Sequence, residues 1–230
     1  MITHQIDTRC TASGYLALPT SGEGPGILLL HAWWGLTDIF KNTCERLAAE
    51  GFVVYAPDLY HGQTAATIEE AEQVRGTLNF DGTILDITAA ITLLRSQPQV
   101  RGNSIGAIGF SMGAAFALGM STNRQDIGAV VAFYGLELGP GYTSARAAYQ
   151  GHFAELDEWE TTEDIVTMEQ VLRKAGKEVT FYTYPSTRHW FFEENRPGYY
   201  DAGAANLAWQ RTIVFLHDHL MYNKELIIAR

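Results

Sequence analysis

Residues 104–116 read Ser-Ile-Gly-Ala-Ile-Gly-Phe-Ser-Met-Gly-Ala-Ala-Phe, and they constrain the fold more tightly than any other stretch. An apolar, β-prone run ends in Gly109-Phe110-Ser111-Met112-Gly113 and passes directly into small, helix-forming residues. A chain that goes from buried strand to buried helix over so few residues turns sharply, and the residue at the apex takes a strained backbone conformation. Glycine at 109 and 113 leaves room for that turn, since a β-carbon at either place collides with the neighbouring strand or helix. The Ser111 hydroxyl then stands at the tip of a sheet, with first-turn N–H groups and a helix dipole behind it that favour developing negative charge. The plainer alternative is a glycine-rich turn with a chance serine, so the rest of the chain decides.

Short apolar runs alternate with longer amphipathic ones. Strands are expected at Ser13–Leu18, Pro25–His31, Val53–Pro57, Ser104–Phe110, Ile127–Tyr134, Ala145–Gln150 and Glu178–Tyr184, rich in Val, Ile and Tyr and bounded by Gly or Pro. Helices are expected at Asp38–Glu50, Thr67–Leu78, Gly82–Ser96, Met112–Ser121, Thr161–Ala175 and Gly203–Leu220. Gly51 and Gly176 read as helix stops, and Thr161-Thr162-Glu163-Asp164 as a helix start with acids where the dipole favours them. This alternation predicts an α/β fold: a mostly parallel sheet with helices on both faces, the opening strand antiparallel at one edge. The whole chain, 1–230, is expected to form one domain without a separate lid.

A composition of 47% hydrophobic and 18% charged residues is ordinary for a globular protein, and a net charge of −10 disfavours nucleic acid and anionic membranes as partners. No run of about 18 apolar residues suggests a membrane span. The opening Met-Ile-Thr-His-Gln-Ile-Asp lacks the pattern of a signal peptide. Cys10 and Cys44 are expected as free thiols in a reducing cytoplasm, with no zinc-type spacing. The expectation is a cytoplasmic monomer or homodimer that binds no metal.

A serine nucleophile needs a base, and an imidazole base needs an acid to fix its tautomer and stabilise its charged form. In a doubly wound sheet both come from loops after later strands, in the order Ser, then Asp or Glu, then His. Asp157 falls in the loop after the Ala145–Gln150 run, with Glu155 and Glu158 as rivals and a helix-capping role as the bland alternative. His189 falls in the loop after Glu178–Tyr184. His152 lies too early in its loop, and His217 and His219 read as a solvated helix face. The oxyanion donors are expected from the backbone of Met112, just after the nucleophile, and of Trp33 in His31-Ala32-Trp33-Trp34-Gly35. Trp34, Tyr60, Tyr134 and Trp190, together with Phe80 and Phe191, are candidate pocket residues; each is also a natural core residue.

With these residues in place the chain resembles the dienelactone hydrolase family of α/β hydrolases, nearly from end to end. The resemblance rests on His-Ala-Trp-Trp-Gly-Leu at 31–36, Ala-Pro-Asp-Leu-Tyr-His-Gly at 56–62, the elbow at 109–113, the run ending at Asp157, and the segment from His189 through Tyr199 to Leu216. It implies a lidless hydrolase with a triad, acting on a small-molecule ester or lactone without a metal or organic cofactor. Three departures matter. The family's best-known members carry cysteine where this chain has Ser111, and a glutamate that helps activate the thiol where it has Ala32. Losing both together is consistent, because a hydroxyl has no resting anion to generate and relies on the imidazole. The family also holds a substrate carboxylate with arginines, where this chain has Glu193 and, on an ungapped alignment, Glu70. Two anions there would repel a carboxylate, so neutral esters or lactones are expected to suit the site better, unless Arg75, Arg188 or Arg196 substitutes. A thioesterase or peptidase on the same triad, and a binding protein without chemistry, are the competing functions.

Overall fold

The apolar runs assemble into seven strands: β1 (Gly14–Ala17), β2 (Gly24–Leu30), β3 (Val53–Pro57), β4 (Val100–Phe110), β5 (Ile127–Phe133), β6 (Ala148–Ala154) and β7 (Val179–Tyr184). The structure is a computed structural model that describes residues 13–139 and 141–221; Cys10 lies outside the described residues, and Cys44 is a buried free thiol. The strands form one sheet in the order β1-β3-β2-β4-β5-β6-β7. β1 pairs antiparallel with β3 at the edge, as expected, and every other pairing is parallel. Parallel neighbours need crossover connections: α1 (Asp38–Ala49) joins β2 to β3, α2 (Ile68–Gly76) and α3 (Phe80–Ser96) join β3 to β4, α4 (Met112–Asn123) joins β4 to β5, and α5 (Thr162–Lys174) joins β6 to β7, while the connection from β5 to β6 carries the short 3-10 turn Tyr142–Ser144 and α6 (Ala202–Leu216) follows β7.

Two apolar cores follow, one per sheet face. Phe40, Cys44 and Leu47 of α1 and Ala208, Trp209 and Leu216 of α6 pack on one side. Ile87, Ile91 and Leu94 of α3, Ala114 and Leu118 of α4, and Met168 and Leu172 of α5 pack on the other. The helices start where their sequences say. Thr67 and Glu70 make a reciprocal capping box on α2, and Asn79 and Thr161 cap α3 and α5 through their side chains.

Two expectations shift. α6 stops at Leu216 and passes into a π-turn over His217–Met221 rather than running as one helix to Leu220. β6 lies at Ala148–Ala154, not Ala145–Gln150, so Gly151 and His152 belong to a central strand rather than a loop. The polar residues that suggested a loop satisfy each other inside the protein. His152 Nδ1 meets the Tyr184 hydroxyl at 2.8 Å, and its Nε2 lies 3.0 Å from Gln150 Oε1 and 3.1 Å from Thr212 Oγ1. Burial pushes this imidazole down to about 3, so it stays neutral and structural. No helix among the described residues is long and apolar enough to cross a membrane.

The close contact between β2, β4 and α4 depends on the two glycines of the turn. A β-carbon on Gly113 would overlap the Leu30 and His31 carbonyls, and one on Gly109 would overlap the Gly113 backbone. Gly119, further along α4, has only Glu137 Cγ nearby, at 3.8 Å. Gly113→Ala is therefore expected to cost about 2 kcal/mol or more by overpacking against rigid backbone, whereas Gly119→Ala gains up to about 1 kcal/mol from helix propensity. Urea unfolding of the two variants reads both, and a neutral Gly113→Ala contradicts this packing.

Candidate active site

β4 ends at Phe110 and α4 begins at Met112, leaving Ser111 alone to make the turn, at φ 51° and ψ −116°. Its N–H donates to the Phe133 carbonyl of β5 at 2.9 Å, and Gly135 is pressed against its carbonyl so closely that a β-carbon there would overlap it. A non-glycine residue in this region is strained, and these neighbours hold it there. The Ser111 hydroxyl consequently points off the carboxyl edge of the sheet, where Oγ lies 2.9 Å from His189 Nε2.

His189 comes from the loop after β7, and its Nδ1 lies 2.9 Å from both oxygens of Asp157, in the loop after β6. The two loops are tied together by the Glu155 amide donating to Tyr184 O at 3.1 Å and the Leu156 amide to Thr187 O at 2.9 Å. Asp157 Oδ1 also accepts from the Trp159 amide at 2.8 Å and the Glu160 amide at 3.1 Å. Turn capping and imidazole orientation are thus the work of one carboxylate. Side-chain exposures of 4% for His189 and 1% for Asp157 keep their contact out of water. The hydrogen-bond network assigns the imidazole proton to Nδ1, facing the carboxylate, and leaves Nε2 to accept from Ser111. The rival acids are engaged elsewhere, Glu155 with the Ser186 amide at 2.8 Å and Glu158 with Arg188 at 3.7 Å. His219 is not on a solvated face: it is largely buried, 2.8 Å from the Phe215 carbonyl through Nδ1 and 3.2 Å from Glu178 through Nε2.

The loop after β2 brings Trp33 to the same edge. His31 anchors it. Its Nδ1–H donates to Ala32 O at 2.6 Å and its Nε2 accepts from the Leu59 amide at 3.1 Å, an arrangement that requires the neutral ring. Complete burial pushes its pKa down and keeps it neutral. The Trp33 amide donates to no backbone group among the described residues. The Met112 amide, at the first position of α4, has no intrahelical acceptor.

A cleft of about 810 Å³ opens at Ser111 and His189. Of the candidate pocket residues, Trp190 and Phe80 line it, joined by Trp33. Trp34, Tyr60 and Tyr134 do not, and are buried elsewhere. Trp34 packs edge-on against Trp33 and Trp190 at 5.3 and 5.2 Å, and Tyr60 stacks edge-on to His31 at 5.3 Å, so both support the wall from behind. Tyr134 packs its ring 4.9 Å from His189. Phe80 lines the cleft and Phe191 is wholly buried. Arg75 also lines it, as do Trp159, Glu137 and Glu160, which were not singled out from the sequence. Trp159 stacks edge-on to Trp33 at 5.1 Å. Its place two residues after Asp157, on a turn capped by that carboxylate, was the available signal.

The two acids expected to repel a carboxylate do not face the cleft. Glu70 turns back onto its own helix, accepting from the Ala66 and Thr67 amides at 2.7 and 3.3 Å. Glu193 is wholly buried, accepting from the Tyr134 hydroxyl at 2.9 Å, with Arg196 Nε 4.0 Å away. Arg196 stacks 3.3 Å over the Trp34 ring, and Arg188 faces Glu158, so Arg75 is the arginine that reaches the cleft. Burial, with Asp157 and Asp164 nearby, pushes the Glu160 carboxyl up to about 7, which lowers the negative charge of the cleft wall near neutrality.

Comparison with known proteins places this geometry. The model of the dienelactone hydrolase family matches residues 12–220. Protein usf of Aquifex pyrophilus is 30% identical over 216 residues, covering 90% of this chain and 93% of that one. Among solved structures, a protein from Klebsiella pneumoniae subsp. pneumoniae MGH 78578 superposes with a TM-score of 0.83 at 19% identity, over 95% of this chain and 98% of that one. The dienelactone hydrolase-like promiscuous phosphotriesterase P91 from metagenomic libraries superposes with a TM-score of 0.81 at 22% identity, over 91% and 93%. The two structural likenesses establish the fold, and the family match covers nearly all the described residues: the chain belongs to the dienelactone hydrolase family of α/β hydrolases.

Proposed function

We propose that this hydrolase cleaves a small carboxylic ester or lactone through an acyl-enzyme on Ser111, with His189 as general base and Asp157 as its orienting acid. The observation that carries the reading is the unbroken chain Ser111 Oγ–His189 Nε2–His189 Nδ1–Asp157, each contact 2.9 Å, on a serine held at φ 51°. Ser111 Oγ attacks the ester carbonyl as Nε2 takes its proton. The Trp33 and Met112 amides receive the oxyanion, and Asp157 stabilises the imidazolium. His189 returns the proton to the departing alcohol oxygen. Water then attacks the acyl carbonyl, giving its proton to Nε2, and the acid leaves as Ser111 recovers its hydrogen. One ester and one water become one alcohol and one acid. In a lactone the alcohol stays on the same molecule.

The surroundings of the base support this chemistry. Tyr134, Trp159 and Trp190 rings lie 4.9, 6.3 and 5.1 Å from the imidazole, an apolar enclosure that strengthens the His189–Asp157 contact. The same wall suits an uncharged substrate better than an anion.

Ser111→Ala is expected to reduce kcat/KM for p-nitrophenyl acetate to near background while the far-UV circular dichroism stays native; retained turnover contradicts the proposal. Asp157→Asn is expected to lower kcat by on the order of 10²–10⁴, because the amide N–H can donate to Nδ1 and hold the imidazole in the tautomer whose Nε2 cannot accept from Ser111. Stopped kinetics on purified variants measures both.

Glu193 adds a pH prediction. Burial pushes its carboxyl up to about 7, opposed by the Tyr134 hydrogen bond and the Arg196 charge; the Trp34 N–H approaches it without making a hydrogen bond. In the unfolded chain the group titrates near the ordinary value of about 4.3. Between those values the native state binds more protons, so this group's contribution to stability is full below about 4.3 and is lost as pH rises through about 7. Relative to Glu193→Gln, the wild-type protein is therefore expected to lose on the order of 2 kcal/mol between pH 5 and pH 8. Urea unfolding of both proteins at the two pH values measures it, and a difference independent of pH contradicts it.

A further inference from the structure

The cleft does not end at the nucleophile. Met112, Ala115, Phe116, Gly119, Met120 and Asn123 all line it. Their spacing is i, i+3, i+4, i+7, i+8 and i+11, one continuous face of α4. At 1.5 Å per residue that face runs about 16 Å from Met112, beside Ser111, to Asn123 at the end of the helix. The remaining faces of α4 are buried against the sheet through Ala114, Ala117, Leu118 and Ser121. The stripe is apolar along its length and becomes polar only at its far end, at Thr122 and Asn123. Ala115 and Gly119 add little side-chain volume to this face.

The opposite rim carries a second observation. Phe80, at the start of α3, is 67% exposed, its ring 6.0 Å from Phe116 across the groove. With Ile84 it forms an apolar bank that folding leaves uncovered. Leu136, Glu137 and Tyr142 close the other side; the Glu137 carboxylate accepts from the Gly139 amide at 2.8 Å, and its Cγ is the atom nearest Gly119. The charged groups of the cleft, Arg75, Glu137 and Glu160, lie on its walls, so the floor that begins at a nucleophilic hydroxyl stays apolar for several turns, which fits a linear hydrocarbon better than a compact ring.

We propose that this trough binds a long, unbranched apolar chain attached to the scissile ester, so that the enzyme acts on medium-chain esters. The proposal rests on Ser111 being the nucleophile, as argued above. An extended chain advances roughly 1.25 Å per carbon–carbon bond of about 1.5 Å. A trough of about 16 Å thus accommodates roughly ten to twelve carbons before meeting the polar end. The chain can belong to the acyl or the alcohol half, and the two are separable by experiment.

The test is a chain-length series on the wild-type protein below the critical micelle concentration: p-nitrophenyl acetate to dodecanoate for the acyl half, and ethyl to decyl acetate for the alcohol half. Burial of each methylene multiplies apparent affinity by up to about fourfold, so kcat/KM is expected to rise at least tenfold from the shortest chain to eight or ten carbons in one series. The series that rises identifies the half in the trough. In Gly119→Leu, whose side chain fills the middle of the trough without straining a helix, the ratio of decanoate to acetate kcat/KM (or of decyl to ethyl acetate) is expected to fall at least tenfold. Thermal unfolding of that variant verifies its fold. A kcat/KM that declines beyond four carbons in both series overturns the proposal while leaving the Ser111 mechanism standing, as does an unchanged ratio in a folded Gly119→Leu. Absence of turnover on every ester overturns both.

Discussion

A single backbone conformation organises this molecule. Ser111 has φ 51°, where a side chain is normally disfavoured, and everything around it is arranged to hold it there. Its N–H is bonded to β5, Gly135 presses on its carbonyl, and the Gly109 and Gly113 contacts let α4 lie directly on β2 and β4. Strain of this kind costs on the order of 1–3 kcal/mol and persists only where the surroundings over-determine it. The return is positional: the hydroxyl projects from the sheet edge with a helix N-terminus behind it, and loops from β6 and β7 deliver a carboxylate and an imidazole to the same edge.

The second constraint is how the imidazole is enclosed. Asp157 is fastened by two backbone amides of its own turn before it meets His189, so its orientation does not depend on the histidine. The aromatic rings around His189 then exclude water and restrict its tilt. Behind them, Tyr134 joins the enclosure to the buried Glu193 and Arg196. In sequence, Glu193 looked like a charge that would face a substrate. In three dimensions it is an interior group whose ionisation is opposed by burial.

Much of this was legible in the residues. The turn at 109–113 announced itself because glycine spacing and the switch from strand-forming to helix-forming composition coincide there. That His189 and Asp157 meet was readable because a doubly wound sheet delivers its loops to one edge. The error at β6 has a specific cause: Gly151 and His152 resemble a loop, and only the partners Tyr184, Gln150 and Thr212, distant in sequence, make a buried strand of them. The pocket was least legible. Trp34, Tyr60 and Tyr134 share the composition of pocket residues, but burial depends on which side of a loop faces the core, and a linear pattern does not encode that outside regular elements. The face of α4 was hidden for a related reason, since its small residues resemble ordinary helix packing.

The central claim is that Ser111, in its strained turn, is the nucleophile that carries the acyl group. Incubation with a fluorophosphonate, followed by peptide mass spectrometry, tests it most directly. The account predicts one phosphonyl group per chain, located on Ser111, accumulating in step with the loss of ester hydrolysis. Full hydrolytic activity with Ser111 unmodified after prolonged exposure, or inactivation tracking a label on another residue, would contradict it.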